Sequence, residues 1–274
     1  MNADAPATQP LPREERACSA CRSGEGLGIG LGMAFQPILD AGQGGRIMAQ
    51  EALVRGVDGQ GAGWVLGQVA PEALYAFDQA CRVTAIEEAS RLGLAATGAK
   101  LSINFLPNAV YNPLACIQET LRAAERTGFP RDQLMFEVSE GEKVRDPGHL
   151  QRIFHAYRAM GFTVAIDDFG AGHAGLSLLA DLEVDVVKLD MALVRGCDAS
   201  RPSRVILASV VAACRELGVQ VIAEGVETNA ECTALREIGV SLFQGYLFAR
   251  PGFRSLPVAH QPAGFTSAAA PAVG

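Results

Sequence analysis

The sequence predicts an α/β fold, a TIM-like (β/α)8 barrel with an antiparallel first strand. Three observations predict it. Eight short apolar runs alternate with longer helix-like stretches, and such alternation builds a largely parallel sheet covered by helices. Several of the helix-like stretches open on proline, which a first helical turn tolerates, and two of them run directly into Gly128 and Gly218, as a C-cap requires. The first two runs are joined only by "DAGQGGR", which is too short for a helical crossover and suits an antiparallel pair.

The expected strands are, in order, "MAFQPIL", "RIMAQEALVR", "KLSINFL", "LMFEVSE", "TVAIDD", "VDVVKLD", "VQVIAEG" and "SLFQGYLF". Between most of them lie expected helices over 71–92, 113–127, 147–160, 202–217 and 229–238. A doubly wound open sheet is the competing arrangement. It needs a glycine-rich phosphate loop after an early strand, whereas the GxGxG of Gly26 to Gly30 precedes every strand. Residues 1–30 and 255–274 are rich in Pro, Ala and Gly and read as flexible tails around a barrel over 31–254.

At 274 residues and 49% hydrophobic, the chain can bury one large core. A net charge of −7 argues against general binding to nucleic acid or an anionic membrane, both of which need a basic face. No run approaches the roughly 18 apolar residues of a membrane span. The longest candidate, "VILASVVAAC", is bracketed by Arg204 and Arg215 and reads as one face of a core helix. The start lacks an apolar signal region, so no secretory signal is expected. Seven cysteines, mostly inside apolar stretches, read as reduced core residues of a cytoplasmic protein. Cys18 and Cys21 form a CxxC in the N-terminal tail, but without a second pair or a nearby His no zinc site is expected.

The carboxylates carry the chemistry. In a barrel, inward-pointing residues at the C-terminal ends of strands line the active-site mouth. Glu51, Leu53 and Arg55 share one face of the second run, Asn104 lies near the end of the third and Glu137 sits in the fourth. Asp167 and Asp168 end the fifth, Lys188 and Asp190 share a face of the sixth, Glu224 closes the seventh and Gln244 lies in the eighth. Any one of these could be a turn cap or a surface charge. Seven strands putting a polar group at the same end is another matter, because buried charge is costly unless paired or metal-bound. All-oxygen ligation selects Mg2+ or Mn2+ over Zn2+, and the adjacent aspartates are placed to bridge two such cations. A pair of cations of this kind serves phosphoryl displacement, with Arg55 as a phosphate contact and Lys188 as a water-orienting or proton-transfer group. A Schiff-base role for Lys188 fails, since a lysine among anions stays charged.

The words "QEALVR", "INF", "FEVSE", "DDFGAG", "VVKLD", "IAEGVE" and "FQGYLFARP" follow one another in the order of an EAL domain, and from Phe35 to Pro251 the chain resembles this family of bacterial cyclic di-GMP phosphodiesterases. The resemblance implies hydrolysis of cyclic di-GMP to linear pGpG, two divalent cations and a homodimer. It implies that Glu51, Asn104, Glu137 and Asp167 hold one metal and that Asp167 bridges to a second held with Asp168. Lys188 and Glu224 would position the attacking water, with Gln244 in support. Gln36, Leu53, Arg55, Asp190, Glu227 and Pro251 resemble substrate contacts, and Glu140 resembles the glutamate that steadies the loop after the aspartates.

One stretch departs from the family. Where it usually reads Thr-Gly-Tyr-Ser-Ser after "DDFG", this chain has Ala171, Gly172, His173, Ala174 and Gly175. The hydroxyls that would tie the loop to Glu140 are absent, so regulation or rate is expected to differ. The alternative function is therefore a receptor or interaction module that holds cyclic di-GMP or a protein without turnover. "YAFDQACR" and "INFLPNAVYNP" also resemble EAL domains that follow a flavin-binding blue-light sensor. Neither such a sensor nor a cyclase-type partner domain is expected in this chain.

Overall fold

The computed structural model describes residues 28–142, 147–172, 175–262 and 265. The CxxC of Cys18 and Cys21, and His173, lie outside the described residues.

Eight strands close a barrel: β1 (Leu31–Asp40), β2 (Arg46–Gly56), β3 (Lys100–Asn104), β4 (Leu134–Ser139), β5 (Thr163–Phe169), β6 (Val186–Leu189), β7 (Gln220–Ala223) and β8 (Leu242–Phe243). β2 to β8 are parallel neighbours in sequence order, and β1 closes the ring antiparallel to both β2 and β8. The reversed first strand follows from the short connection: Asp40 accepts from the amides of Gly42 and Gln43, and Gly44 takes a left-handed conformation with φ of 70°. A further two-residue strand, β9 (Gly252–Phe253), pairs antiparallel with β1.

The helices are α1 (Ala62–Leu66), α2 (Leu74–Arg91), α3 (Pro113–Cys116), α4 (Gln118–Thr127), α5 (Pro147–Ala159), α6 (Gly175–Asp181), α7 (Met191–Val194), α8 (Arg201–Glu216) and α9 (Asn229–Glu237). Two expected helices are divided. Pro71–Ala73 forms a 3-10 turn ahead of α2, and Ile117 separates α3 from α4. In α8 the buried residues are Leu207, Val210, Val211 and Cys214, a helical stripe against the sheet as expected for "VILASVVAAC".

Two apolar layers result from strand alternation. Outward-facing residues such as Ala52, Ile103, Phe136, Ile166 and Val187 pack under the helices in the large core. Inside the barrel, Ile38, Ala49, Met135, Ala165, Val186, Ile222 and Leu242 form a separate plug. Each plug residue of a parallel strand has a polar residue two positions later, one step nearer the mouth: Glu51, Glu137, Asp167, Lys188, Glu224 and Gln244. β1 runs the other way, so its mouth residue, Gln36, comes two positions before Ile38.

The C-terminal boundary differs from expectation. Residues 255–262 and Phe265 were expected in a tail, yet Phe265 is 2% exposed and packs on Phe243 and Phe248 with ring centroids 5.7 and 5.1 Å away. Gln261 Nε2 also donates to the Gly45 carbonyl at 3.1 Å. Apolar composition is sparse here, but one aromatic side chain joins the outer core layer beside Phe243 and Phe248.

Candidate active site

The mouth of the barrel gathers the predicted carboxylates around one lysine. Lys188 is fully buried, and its Nζ lies 3.2 Å from Glu51 Oε2, 2.9 Å from Glu137 Oε2, 3.1 Å from Asp167 Oδ1 and 2.8 Å from Glu224 Oε1. Burial by itself disfavours the ammonium. The surrounding carboxylates outweigh it and hold the lysine well above its ordinary pKa, so Lys188 is a cation and not a neutral nucleophile.

One positive charge does not neutralise four carboxylates. Burial, with Glu51 and Asp167 adding to it against the opposing pull of Lys188, pushes Glu137 up to about 8. Ser102, two residues before Asn104 on the same face of β3, donates to Glu137 Oε1. Asn104 Nδ2 donates to Glu51 Oε1 at 3.1 Å, and Gln244 Nε2 donates to Glu51 Oε2 at 2.7 Å. Gln244 Oε1 is buried and has no hydrogen-bond partner among the described residues.

The adjacent aspartates pose a geometric problem, since neighbours on a regular strand face opposite ways. The register between β5 and β6 slips between Ile166 and Phe169, and Asp168 takes a left-handed conformation with φ of 54°. This is a sparsely populated state for any residue with a Cβ, although Asp tolerates it better than most. The bulge turns both carboxylates to the mouth. The Asp168 amide donates to Asp167 Oδ1 at 2.9 Å, and Ser139 Oγ donates to Asp168 Oδ2 at 3.0 Å. Burial, reinforced by Asp167, holds Asp168 above the usual carboxylate range.

The oxygens fall into two sets, each within 4.8 Å: Glu51, Glu137 and Asp167 in one, Asp167, Asp168 and Glu224 in the other. Asp167 belongs to both. A hard-oxygen donor set with one shared carboxylate fits two neighbouring divalent cations of the Mg2+ or Mn2+ kind.

Above this cluster opens a cleft of about 300 Å³ whose walls include Gln36, Glu51, Leu53, Asp167, Asp168, Asp190, Glu224, Glu227 and Gln244. Glu137 and Lys188 lie beneath its floor. Asn104, whose amide reaches Glu51, also lines a neighbouring apolar cleft of about 260 Å³. Arg55 and Pro251 lie outside the lining of the acidic cleft, and the Arg55 guanidinium donates to the Val54 carbonyl at 2.7 Å. Glu140 Oε2 accepts from the Gly170 amide at 2.6 Å, so it contacts the loop after the aspartates through backbone.

The cleft also holds residues that the sequence reading missed: Met191, Arg195, Gly225, Gly245 and Tyr246. Ser102 was findable by the period of two that found Asn104. Arg195 and Tyr246 come from turns, where no periodicity operates.

The family model described as EAL domain matches residues 28–251. The chain belongs to the EAL domain family. It is 32% identical over 225 residues to the blue light- and temperature-regulated antirepressor BluF of Escherichia coli, covering 82% of this chain and 55% of that protein. It is 37% identical over 123 residues to the cyclic di-GMP phosphodiesterase RocR of Pseudomonas aeruginosa, covering 45% of this chain and 31% of RocR. This EAL chain therefore spans less than two thirds of either curated relative. Among solved structures, it aligns with a standalone versatile EAL protein of Vibrio cholerae in its c-di-GMP bound form, with a TM-score of 0.82 and 46% identity over 88% of this chain and 99% of that one. It also aligns with Klebsiella pneumoniae BlrP1 in a manganese and cyclic di-GMP complex, with a TM-score of 0.77 and 36% identity over 82% of this chain and 56% of the other.

Proposed function

We propose that this EAL domain hydrolyses cyclic di-GMP to linear pGpG with two divalent cations, Mg2+ or Mn2+. The observation that carries the proposal is the sharing of Asp167 between two carboxylate sets directly below the cleft. In this reading Glu51, Asn104, Glu137 and Asp167 hold one ion, and Asp167, Asp168 and Glu224 the other. Bound there, the ions supply Lewis acidity toward a phosphoryl oxygen and toward water.

The protein groups do the rest. Lys188, held as an ammonium, orients the attacking water by donating to it, and Glu224, 2.8 Å away, accepts the water's proton. Water adds to one phosphorus as the P–O3′ bond breaks, which leaves a 5′-phosphate and a 3′-hydroxyl. Gln36, Leu53, Asp190 and Glu227 line the cleft as substrate contacts. Arg55 and Pro251 retain that role only if the substrate reaches past the cleft. A homodimer belongs to the same proposal on the family resemblance alone, and a cytoplasmic setting on the cysteine usage.

A second reading has support of its own. BluF bears the name of an antirepressor, and the loop after Asp168 lacks the family's hydroxyls. In that reading the domain binds cyclic di-GMP or a protein without turnover.

One experiment separates them. Purified chain is incubated with cyclic di-GMP and Mg2+ or Mn2+ and the products are separated, with Glu51→Ala and a chelated sample as controls. Linear pGpG that vanishes in both controls is the expected result. Binding without product in either metal would overturn the enzymatic reading.

A further inference from the structure

One wall of the acidic cleft is made by two turns from different strands. The turn after β6 and α7 brings Met191 and Arg195, and the turn after β7 brings Glu224, Gly225 and Glu227. They meet at the rim, where Arg195 Nη2 lies 2.6 Å from Glu227 Oε1. Those side chains are 51% and 42% exposed, and an ion pair so open to water holds a geometry weakly. Something else has to fix the two turns.

Below the rim, Glu231 sits in the first turn of α9 and is 6% exposed. It forms a capping box with Thr228, whose Oγ1 accepts from the Glu231 amide at 3.2 Å. The box occupies only one carboxylate oxygen. Oε2 accepts from the amides of Thr228 and Glu227, both at 3.1 Å. Oε1 reaches out of the helix and accepts from the Gly196 amide at 2.9 Å, across 35 residues of sequence. Gly196 follows Arg195 directly and has a φ of 67°, a left-handed conformation that suits glycine.

We propose that Glu231 is a positioning residue for the substrate: its two oxygens latch the turn carrying Arg195 to the turn carrying Glu227 and thereby set the shape of that wall. The helix cap has been extended into a tertiary tie. An ordinary capping box stabilises one helix end, whereas this buried carboxylate accepts from two separate chain segments, Gly196 on one and Glu227 and Thr228 on the other. Burial would raise its pKa, but the amides of Gly196, Glu227 and Thr228 draw it below the ordinary glutamate value, as expected for a carboxylate that stays ionised in this role.

The inference rests on the cyclic di-GMP reading above, and its test keeps the two apart. Cyclic di-GMP affinity is measured by calorimetry in chelating buffer, and KM and kcat are measured with Mn2+, for the full chain and for Glu231→Ala, Glu231→Gln and Thr228→Ala. Thr228→Ala removes the hydroxyl half of the capping box and leaves the Gly196 bond in place, so it reports helix stability alone. Glu231→Ala is expected to weaken binding and raise KM by about tenfold, on the scale that small misplacements of positioning groups produce, with kcat near that of the unmodified chain. Thr228→Ala is expected to lower Tm while leaving both constants unchanged. Should Glu231→Ala not fold, Glu231→Gln, which keeps the volume and one acceptor, carries the same expectation in direction. Unchanged KM and Kd in a folded Glu231 variant, or an equal rise in Thr228→Ala, would overturn the latch. An unmodified chain that binds no cyclic di-GMP would instead sink the substrate reading, and this inference with it.

Discussion

Replacing Lys188 by Met tests what the lysine does for the metal-free barrel. Its ammonium meets four carboxylates at 2.8 to 3.2 Å. At an effective dielectric of about 20, each contact near 3 Å is worth roughly 5 kcal/mol of attraction. The full sum would unfold the domain, but the carboxylates have an escape, which is to take up a proton. Glu137, pushed up to about 8, already carries a proton at pH 7, so the proton must go to a second carboxyl. At pH 7, protonating one of ordinary pKa near 4.3 costs about 3.7 kcal/mol, and that cost limits the loss. Metal-free Lys188→Met is therefore expected to lose about 3–4 kcal/mol, within the range for breaking a buried ion pair. In Tm this is a fall of about 10 °C for a domain of this size.

The sign with pH follows from the same step. In the variant one carboxyl beyond Glu137 has its pKa raised in the folded state above its unfolded value, so the stability it contributes is present at low pH and lost as pH rises through the folded value. The deficit should shrink toward pH 5. Mg2+ or Mn2+ should raise the Tm of the variant more than that of the unmodified chain, since a divalent cation replaces the missing charge. Thermal unfolding followed by circular dichroism at pH 5 and pH 7, with chelator and with metal, reads all three. Equal metal-free stability at pH 7, or a deficit independent of pH, would refute the reasoning.

The remaining predictions concern backbone, boundary and thiols. Gly245→Ala would place a Cβ 2.1 Å from the Val226 carbonyl oxygen and 2.4 Å from its nitrogen, a backbone clash with no flexible partner, so a loss of about 3 kcal/mol or more is expected in urea unfolding. Phe265→Ala should cost about 3–5 kcal/mol in the same assay, whereas a flexible tail at this position would make it silent. Burial pushes the thiols of Cys214 and Cys232 up to about 11, so both should resist iodoacetamide at pH 8 in the native protein and react only on unfolding, as followed by mass spectrometry.

Much of the site was legible because a barrel strand has a period of two. Glu51, Glu137, Asp167, Lys188, Glu224 and Gln244 were found as the polar ends of apolar runs, and the structure places them two positions above the interior plug. The antiparallel first strand was legible in the length of one loop. Arg55 was read by the same parity as Glu51, yet it stands two pleats farther along β2 and turns to its own backbone. Parity identifies a face but not a height.

The sequence by itself determined the strand order, the inward faces and the excess of carboxylate over cation at one end of the barrel, because these follow from local periodicity and residue chemistry. Tertiary structure alone decided the bulge that turns Asp167 and Asp168 to one side, the enclosure of Lys188, the packing of Phe265 and the reach of Glu231 to Gly196. Each of these joins groups far apart in the chain or depends on a single backbone torsion. Their free energy comes from close packing and from paired buried charge, neither of which leaves a periodic trace in the residues that supply it.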